Sequence, residues 1–235
     1  MSKLRILALV PARGGSKGLH DKNIKPLNGK PLLAYAVDAA NKSKYINRLI
    51  LSTDDSKIAN VASQYKIEIP FMRPKYLATD KAFAIDAYIY TLQRLKREEQ
   101  YVPDILVVLQ PTSPLRTVKD IDACIKIFLD KQAESVVSVV ELNHPVERVR
   151  LISEDGRLIN YSAEKIVQKN RAEYKKAYAP NGAVFVLKPE ALFAHKLCYT
   201  DKTYPYIMPE ERSIDIDTQL DFDLAEFLIK RINLF

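Results

Sequence analysis

Short apolar segments alternate with amphipathic segments along this chain of 235 residues, and the alternation limits the fold more than any other feature. Continuous apolar runs of four to eight residues are typical of buried strands, and apolar residues spaced three or four apart are typical of helices. We predict strands over residues 4–12, 47–55, 67–71, 104–110, 135–142 and 181–188, and helices over residues 31–43, 56–65, 82–100, 117–132 and 217–232. Strands separated by helices pair in parallel, so we expect an α/β fold with a mostly parallel, wound sheet.

The composition excludes several classes of protein. No stretch of about 18 uncharged apolar residues is present, so we expect no transmembrane helix and no membrane partner. Cys124 and Cys198 lack the spacing of a disulfide framework or a zinc site, which favours the reducing cytoplasm. The net charge of +7 is spread along the chain. It indicates either a solvated, lysine-rich surface or a basic cleft for an acidic small molecule, and not a nucleic-acid partner.

One region departs from the alternating pattern. Residues 141–179 are charged and mixed, with an Asp-Gly turn at Asp155 and Gly156. We expect short strands and an excursion from the main sheet. The whole chain, residues 1–235, is predicted to be a single domain that carries this element.

Ligands of open α/β sheets bind outside the carboxyl ends of the strands, which draws attention to four loops. The first is PARGGSKGLHDKN, residues 11–23, directly after the first strand. Its glycines allow backbone N–H groups to form an anion-binding nest, while Arg13, Lys17 and Lys22 add positive charge and Ser16 adds a donor. The motif suits a polyphosphate, although a glycine-rich turn with solvated lysines is the alternative. It matches neither the P-loop nor the dinucleotide-binding pattern.

The other loops are residues 52–55, 110–116 and 213–217. Gln110 ends a buried strand and can bind a base edge or a sugar hydroxyl. Thr112, Ser113 and Arg116 are further polar candidates, and the alternative is a turn whose Ser or Thr caps the next helix.

Isoleucine and aspartate alternate in the last loop, SIDID. In an extended chain Asp215 and Asp217 would share one face, about 6.5–7 Å apart. Two such carboxylates can hold a hydrated Mg²⁺. The alternative is that Asp217 caps the final helix while Asp215 is merely exposed.

Taken together, these motifs resemble those of the acylneuraminate cytidylyltransferases, the CMP-sialic acid synthetases. The matching segments appear in the order of that family, and they are PARGGSKGLHDKN, LSTDD, RPKYLATDKA, LQPTSPLRT, PNGAVFV and SIDIDTQLDFDLAE. The resemblance covers nearly the whole chain. It implies a Rossmann-like nucleotidyltransferase fold and transfer of CMP from CTP to the anomeric hydroxyl of a nine-carbon keto-sugar acid, with release of pyrophosphate.

The resemblance also implies roles for individual residues. Arg13, Ser16 and Lys17 would lie at the triphosphate, with Arg13, Lys17 and Asp215 as catalytic residues. The nucleotide contacts would be Ala12, Arg13, Gly15, Ser16, Lys17, Lys22 and Asn23. The sugar-acid contacts would be Gln110, Thr112, Ser113, Arg116, Arg171 and Asn181. Asp215 and Asp217 would hold Mg²⁺. Residues 141–179 would form a homodimer, with Arg171 reaching the site of the other subunit.

Other functions stay open from the sequence. Ala179 stands where sialic-acid members of the family often carry Arg, so a relative such as legionaminate is an alternative acid. A 3-deoxy-manno-octulosonate cytidylyltransferase is a second reading, because residues 29–32 read GKPL. A non-catalytic nucleotide-binding module is a third.

Overall fold

The computed structural model describes residues 4–16, 18–161 and 173–232. The strands are β1 (Ile6–Pro11), β2 (Pro26–Leu27), β3 (Lys30–Pro31), β4 (Arg48–Ser52), β5 (Ile105–Val108), β6 (Ser135–Glu141), β7 (Arg150–Ile152), β8 (Leu158–Asn160), β9 (Tyr178–Leu187) and β10 (Thr203–Ile207). The helices are α1 (Leu32–Asn41), α2 (Ser56–Ala62), α3 (Ala84–Glu99), α4 (Val118–Asp130), α5 (Pro189–His195) and α6 (Gln219–Ile232).

A six-stranded sheet forms the centre of the fold, in the order β10-β6-β9-β5-β1-β4. Strand β1 pairs in parallel with β4 on one side and with β5 on the other, while β10 pairs in parallel with β6. These pairings confirm the expected α/β fold with a mostly parallel sheet. The chain changes direction across the sheet at β1, and such a switch point opens a crevice at the carboxyl end of the strand.

Both faces of the sheet are covered by helices. Successive side chains of a strand point to opposite faces. Ile6, Ala8 and Val10 therefore pack in the core formed with α1, α2 and α4, whereas Leu7 and Leu9 pack in the core with α3 and α5. A third apolar cluster holds α6 against the loops that follow the strands.

Strand β9 runs antiparallel to both of its neighbours, β5 and β6. Its amino-terminal half therefore starts at the edge of the sheet where the parallel strands end. The pairing of β6 with β9 is irregular between Val137 and Val139. Before β9, strands β7 and β8 form a separate antiparallel hairpin, as the excursion over residues 141–179 predicts.

One predicted strand is wrong. Residues 67–71 form no strand and meet the sheet at a single bridge between Glu68 and Ile50. Glu68 exchanges backbone hydrogen bonds with Leu49 and Leu51, but Pro70 lacks the N–H group that would continue the ladder.

No helix in the described part of the chain is long and apolar enough to cross a membrane.

Two helices of the sheet layer begin at side-chain caps. Asp55 caps α2, where its Oδ1 accepts hydrogen bonds from the N–H groups of Lys57 and Ile58. Thr117 caps α4 in a reciprocal arrangement with Asp120.

Candidate active site

A cavity of about 530 Å³ lies at the carboxyl end of β1, within the size range of small-molecule sites. Three of the predicted loops contribute to its wall. The lining residues are Pro11, Arg13, Ser16, Gly18, Lys22, Asn23, Arg73, Leu77, Thr79, Asp80, Ala82, Ala84, Tyr88, Gln110, Pro111, Thr112 and Asp217. The fourth loop, residues 52–55, instead borders an adjoining open cavity of about 1060 Å³ through Asp54 and Asp55.

The first loop presents Arg13 and Ser16 to the cavity. Arg13 Nη1 lies 3.1 Å from Asp80 Oδ1 and donates to the carbonyl oxygen of Ala78. Gly15 has a φ of +65°, a left-handed conformation that glycine adopts without strain. The backbone N–H of Gly14 donates to Asp54. Lys17 lies outside the described residues.

Lys22 and Asn23 follow in the same loop and line the cavity. Lys22 Nζ lies 2.9 Å from Asp217 Oδ1 and 2.8 Å from the carbonyl oxygen of Ile216. The amide of Asn23 donates to the carbonyl oxygen of Arg13, which fixes the loop from below. Ala12 is fully buried, and its N–H is already bonded to Ser52. The predicted nucleotide contacts therefore include side chains that line the cavity, Arg13, Ser16 and Lys22, and a buried residue, Ala12, that helps to shape their loop.

The two aspartates of the last loop have different surroundings. Asp217 lines the cavity, while Asp215 lies beside Gly182, where an added Cβ would lie 3.3 Å from Asp215 Oδ2. Partial desolvation in the cleft raises the pKa of Asp215, and a hydrogen bond with Thr112 opposes this effect. Ile216 between them is buried, and its N–H donates to the carbonyl oxygen of Thr112.

The alternative that Asp217 caps the final helix is wrong. Thr218 makes the reciprocal contacts instead, because its N–H and Oγ1 bond to Asp221 while the N–H of Asp221 donates to Thr218 Oγ1. The carboxylate of Asp217 is therefore not used as a cap, and it bonds to Lys22.

The six predicted sugar-acid contacts do not share one environment. Gln110 and Thr112 line the cavity. Ser113, Arg116 and Asn181 are buried beneath it and absent from its wall. Arg171 lies outside the described residues.

Hydrogen bonds show what the buried members do. Arg116 donates to the carbonyl oxygens of Gln110, Ser113 and Ala183, and burial lowers its pKa to about 9. Ser113 donates to the carbonyl oxygen of Asn181, whose side chain bonds in turn to Ser138 and Ser213. These three residues hold the loop and the start of β9 in position.

Residues 73–88, which lead into the first turns of α3, contribute a part of the cavity wall that the sequence did not indicate. Arg73 is 7% exposed and bonds to both the hydroxyl and the carbonyl oxygen of Ser52. Burial lowers the pKa of Arg73, and the neighbouring Arg13 lowers it further. Tyr88 is buried with a pKa raised by its burial, and its hydroxyl bonds to Gln110. The only available signal was the motif RPKYLATDKA, which gave no residue a role.

The arrangement places Arg13, Lys22 and Asp217 in the wall of one cavity, with Asp215 two residues before Asp217. Residues 7–230 match the model of a protein family described as Cytidylyltransferase. The chain belongs to the cytidylyltransferase family.

Three curated relatives are similar to this cytidylyltransferase over 95% or more of its length. It is 34% identical over 228 residues to the CMP-N,N'-diacetyllegionaminic acid synthase of Legionella pneumophila, with 97% of each chain covered. It is 31% identical to the post-translational flagellin modification protein B of Campylobacter coli, again with 97% of each covered. It is also 34% identical to the N-acylneuraminate cytidylyltransferase of Escherichia coli, covering 95% of this chain and 52% of that protein. The chain thus spans about half the length of this last relative.

Solved structures support the fold of the cytidylyltransferase. The CMP:2-keto-3-deoxy-manno-octonic acid synthetase complexed with CTP superposes with a TM-score of 0.72 and 14% identity, covering 97% of this chain and 99% of that one. At this identity the likeness shows a shared fold and no shared substrate.

Proposed function

We propose that this cytidylyltransferase transfers CMP from CTP to the anomeric hydroxyl of a nine-carbon keto-sugar acid and releases pyrophosphate. The observation that carries the proposal is the cavity at the end of β1, where Arg13 and Lys22 face the segment of Asp215 and Asp217. Two curated relatives that share this chain's length and about 30% of its sequence are named for such acids.

Arg13 and Lys22 would bind the phosphates, together with Lys17. Both of the described cations are held by carboxylates, Asp80 and Asp217. A triphosphate offers more negative charge than one carboxylate and would draw the cations towards the cavity. Their charge would then stabilise the leaving pyrophosphate.

The sugar hydroxyl would attack the α-phosphorus in line with the leaving group. A bond forms between the anomeric oxygen and the α-phosphorus, the bond between that phosphorus and the bridging oxygen breaks, and the hydroxyl proton passes to water. Gln110 and Thr112 line the same cavity and would orient the sugar acid. The protein itself needs no nucleophile, because the substrate supplies one.

The residues present fit a magnesium ion. Mg²⁺ is usually held by one or two carboxylates together with substrate phosphates and water. Within the described residues no group of three or more acidic, histidine or cysteine side chains comes together, so a fully protein-built cage is absent there. Asp215 and Asp217 are the pair that would hold the ion, which would neutralise charge on the phosphates.

The identity of the acid follows from the relatives and not from the cavity. Relatives at 29–34% identity are named for legionaminic, pseudaminic and N-acylneuraminic acids, whereas the 3-deoxy-octonic acid enzyme shares only 14% of the sequence. These figures favour a nine-carbon acid over the eight-carbon alternative. A module that binds nucleotide without catalysis is disfavoured because the cations and both carboxylates are in place.

Pyrophosphate release tests the function directly. The enzyme, CTP and Mg²⁺ should release pyrophosphate only when a nine-carbon keto-acid is added, and a panel containing legionaminate, pseudaminate, N-acetylneuraminate and 3-deoxy-manno-octulosonate identifies the acid. Asp215→Asn and Asp217→Asn should each lower kcat by several orders of magnitude with an unchanged fold, since metal charge compensation contributes several kcal/mol. Release with the eight-carbon acid alone would refute the proposed substrate class.

We also propose that the chain is a single domain that forms a homodimer in the cytoplasm. The hairpin β7–β8 exposes Ile152 and Leu158, which are 75% and 74% accessible, and this favours an apolar interface in the element over residues 141–179. Cys124 and Cys198 are free thiols, as suits a reducing compartment. Arg171 would cross this interface to the partner's site.

A mixing experiment tests the shared site. Arg171→Ala and Arg13→Ala subunits should each be nearly inactive alone. After subunit exchange one site of a mixed dimer carries both changes and the other carries none, so activity should partly return. A mixture that exchanges subunits without recovery would refute a site shared between chains.

A further inference from the structure

Three charged side chains cluster beneath the cavity without lining it. Arg116 and Asp120 are fully buried, and the side chain of Arg212 is 24% exposed. Such charges are costly to bury unless they are paired and hydrogen-bonded. Nothing in the proposed chemistry uses them directly, so their place in the fold needs another explanation.

Asp120 is the centre of this cluster. Its Oδ1 accepts hydrogen bonds from Arg212 Nη2 at 2.7 Å and from the hydroxyl of Tyr206 at 2.9 Å. Its Oδ2 accepts from the N–H and Oγ1 of Thr117 at 2.8 and 2.7 Å. Burial would raise the pKa of Asp120, but these hydrogen bonds outweigh it and hold that pKa below its ordinary value. The carboxylate is therefore a fixed anion on the first turn of α4.

Arg212 connects this anion to the segment that carries the two aspartates. Residues 213–217 form neither helix nor strand, so no ladder of hydrogen bonds holds them. Contacts with other elements replace it. Arg212 is bound to Asp120, Ser213 accepts from Asn181 at 2.9 Å, and the N–H of Ile216 donates to Thr112 at 2.8 Å. Lys22 holds the carboxyl-terminal end through the carbonyl oxygen of Ile216 and the carboxylate of Asp217.

Asp215 lies between the second and third of these contacts. It is solvent-accessible, and among the described residues the side-chain hydrogen bond that acts on its carboxylate comes from Thr112. Its position therefore depends on the backbone to either side. Loss of the Arg212 anchor would leave the amino-terminal end of the segment held by Ser213 alone.

We propose that Arg212 and Asp120 are positioning residues whose partly buried ion pair fixes the amino-terminal end of the segment that carries Asp215. This inference rests on the proposed role of Asp215 at the metal. It assigns the pair to the metal-dependent part of nucleotide binding, because the cationic loop meets this segment at its other end, where Lys22 bonds to Ile216 and Asp217.

The test is CTP binding by calorimetry, with and without Mg²⁺ and without sugar acid, so that no turnover occurs. Arg212→Gln removes the cation but keeps a polar side chain. It should leave metal-free CTP affinity within twofold of wild type and lower the gain in affinity from Mg²⁺ by about tenfold. A misplacement of about 1 Å can change rates by up to a hundredfold, so kcat should fall by tenfold or more with the acid substrate.

Two variants serve as references. Arg212→Lys keeps the charge and should recover most of the Mg²⁺-dependent gain, to within about threefold of wild type. Lys126→Gln breaks an exposed ion pair with Asp130 on the same helix, α4, and should behave as wild type in every measurement.

A merely structural role gives a different pattern. If Arg212→Gln is folded and keeps the full Mg²⁺-dependent gain, or loses metal-free and metal-dependent affinity equally, the proposal is overturned. If Arg212→Gln does not fold, Ser213→Ala decides, because it weakens the same segment without leaving a charge unpaired. Ser213→Ala should lower the Mg²⁺-dependent gain by about threefold, and an unchanged gain would overturn the proposal.

Asp215→Asn separates this inference from the proposed function. If Asp215→Asn abolishes the Mg²⁺-dependent gain while Arg212→Gln and Ser213→Ala keep it, only the positioning role fails. If Asp215→Asn itself keeps the gain, the metal role of Asp215 fails as well.

Discussion

Gly18 brings the backbone of the cationic loop against the segment of the two aspartates. A Cβ added to Gly18 would lie 2.3 Å from the carbonyl oxygen of Asp217, a distance that real Cβ atoms essentially never show. The neighbour is backbone and cannot rotate away. A glycine is therefore required at position 18, because the cationic loop packs directly against the backbone of Asp217.

Gly18→Ala should lower kcat by about tenfold to a hundredfold, because the added methyl group displaces the backbone of Asp217 and, with it, the bonded side chain of Lys22. The matched control is Gly29→Ala in the β2–β3 turn. Gly29 has a φ of +78° and open space around it, so that variant should lose only about 1 kcal/mol of stability and no activity. Steady-state kinetics and thermal unfolding check both, and equal activities for the two variants would contradict the close-approach argument.

Arg116 shows that a predicted ligand contact can be a structural residue. Replacement by Met would leave the carbonyl oxygens of Gln110 and Ser113 without their donor, and it would remove one of the two cations near Asp120, leaving Arg212 as its partner. We expect Arg116→Met to lower the free energy of unfolding by about 3 kcal/mol.

The comparison for this loss is Arg5→Met. Arg5 lies 3.9 Å from Asp104 at an exposed site, and its replacement should change stability by less than about 1 kcal/mol. Urea unfolding measures both variants. Equal losses would mean that burial of Arg116 does not matter.

Among the elements, β9 does most to bring the site together. Its antiparallel direction places Asn181 and Gly182 at the edge where the parallel strands end, between Gln110, Ser113 and Asp215. A parallel strand in the same position would start at the opposite edge. The hairpin β7–β8, which precedes β9, differs from it because its apolar side chains are exposed to solvent.

Leu158→Asp should convert the proposed dimer to a monomer, since a charge in an apolar interface loses its solvation. Leu158 pairs with Ile152 across the hairpin, so Ile152→Asp should act in the same way. Leu197→Asp, at a site that is 58% exposed and outside the hairpin, is the control and should leave the mass unchanged. Light scattering at several concentrations gives the mass. If the wild type is monomeric throughout, or the hairpin variants stay dimeric, the hairpin is not the interface.

At the scale of the whole molecule, the pair of Asp120 and Arg212 ties α4 on one face of the sheet to the loop that precedes α6. The folded state holds the pKa of Asp120 below its ordinary value of about 3.8. A lowered pKa means that the folded state binds this proton less readily than the unfolded state. The resulting stability is present above the ordinary pKa and is lost as pH falls through the lower, folded value.

Asp120→Asn should therefore be less stable than wild type at neutral pH, and the difference should shrink as pH falls below about 4. Asp130→Asn, which changes the exposed pair on α4, should show little difference at any pH. Urea unfolding at a series of pH values measures the free energies. A difference that stays constant down to about pH 3 would show that the ionised carboxylate is not its source.

The sequence by itself determined most of the elements and the identity of the loops that matter. Apolar periodicity marked five strands of the central sheet and five helices within a few residues, but it missed β10 and α5. The glycine-rich loop, the strand ending in Gln110 and the loop of the two aspartates all contribute to the cavity wall. These signals are local, because periodicity and residue type act within one segment. The failures at residues 67–71 and at the cap of α6 are also local, since Pro70 stops the ladder and Thr218 competes with Asp217.

Only the tertiary structure decided which polar side chains face the cavity. Ser113 and Asn181 carry the same polar groups as Thr112 and Gln110, and Arg116 carries a charge, yet all three are buried where β9 meets the loop. Arg73 reaches the cavity through contacts with Ser52, which is 21 residues away along the chain. Burial of a charge depends on what packs over it from distant segments, and no pattern within one segment records that. The residue types in the loops therefore showed their chemistry in the sequence. Which of these side chains line the cavity and which are buried was decided by the packing of the sheet.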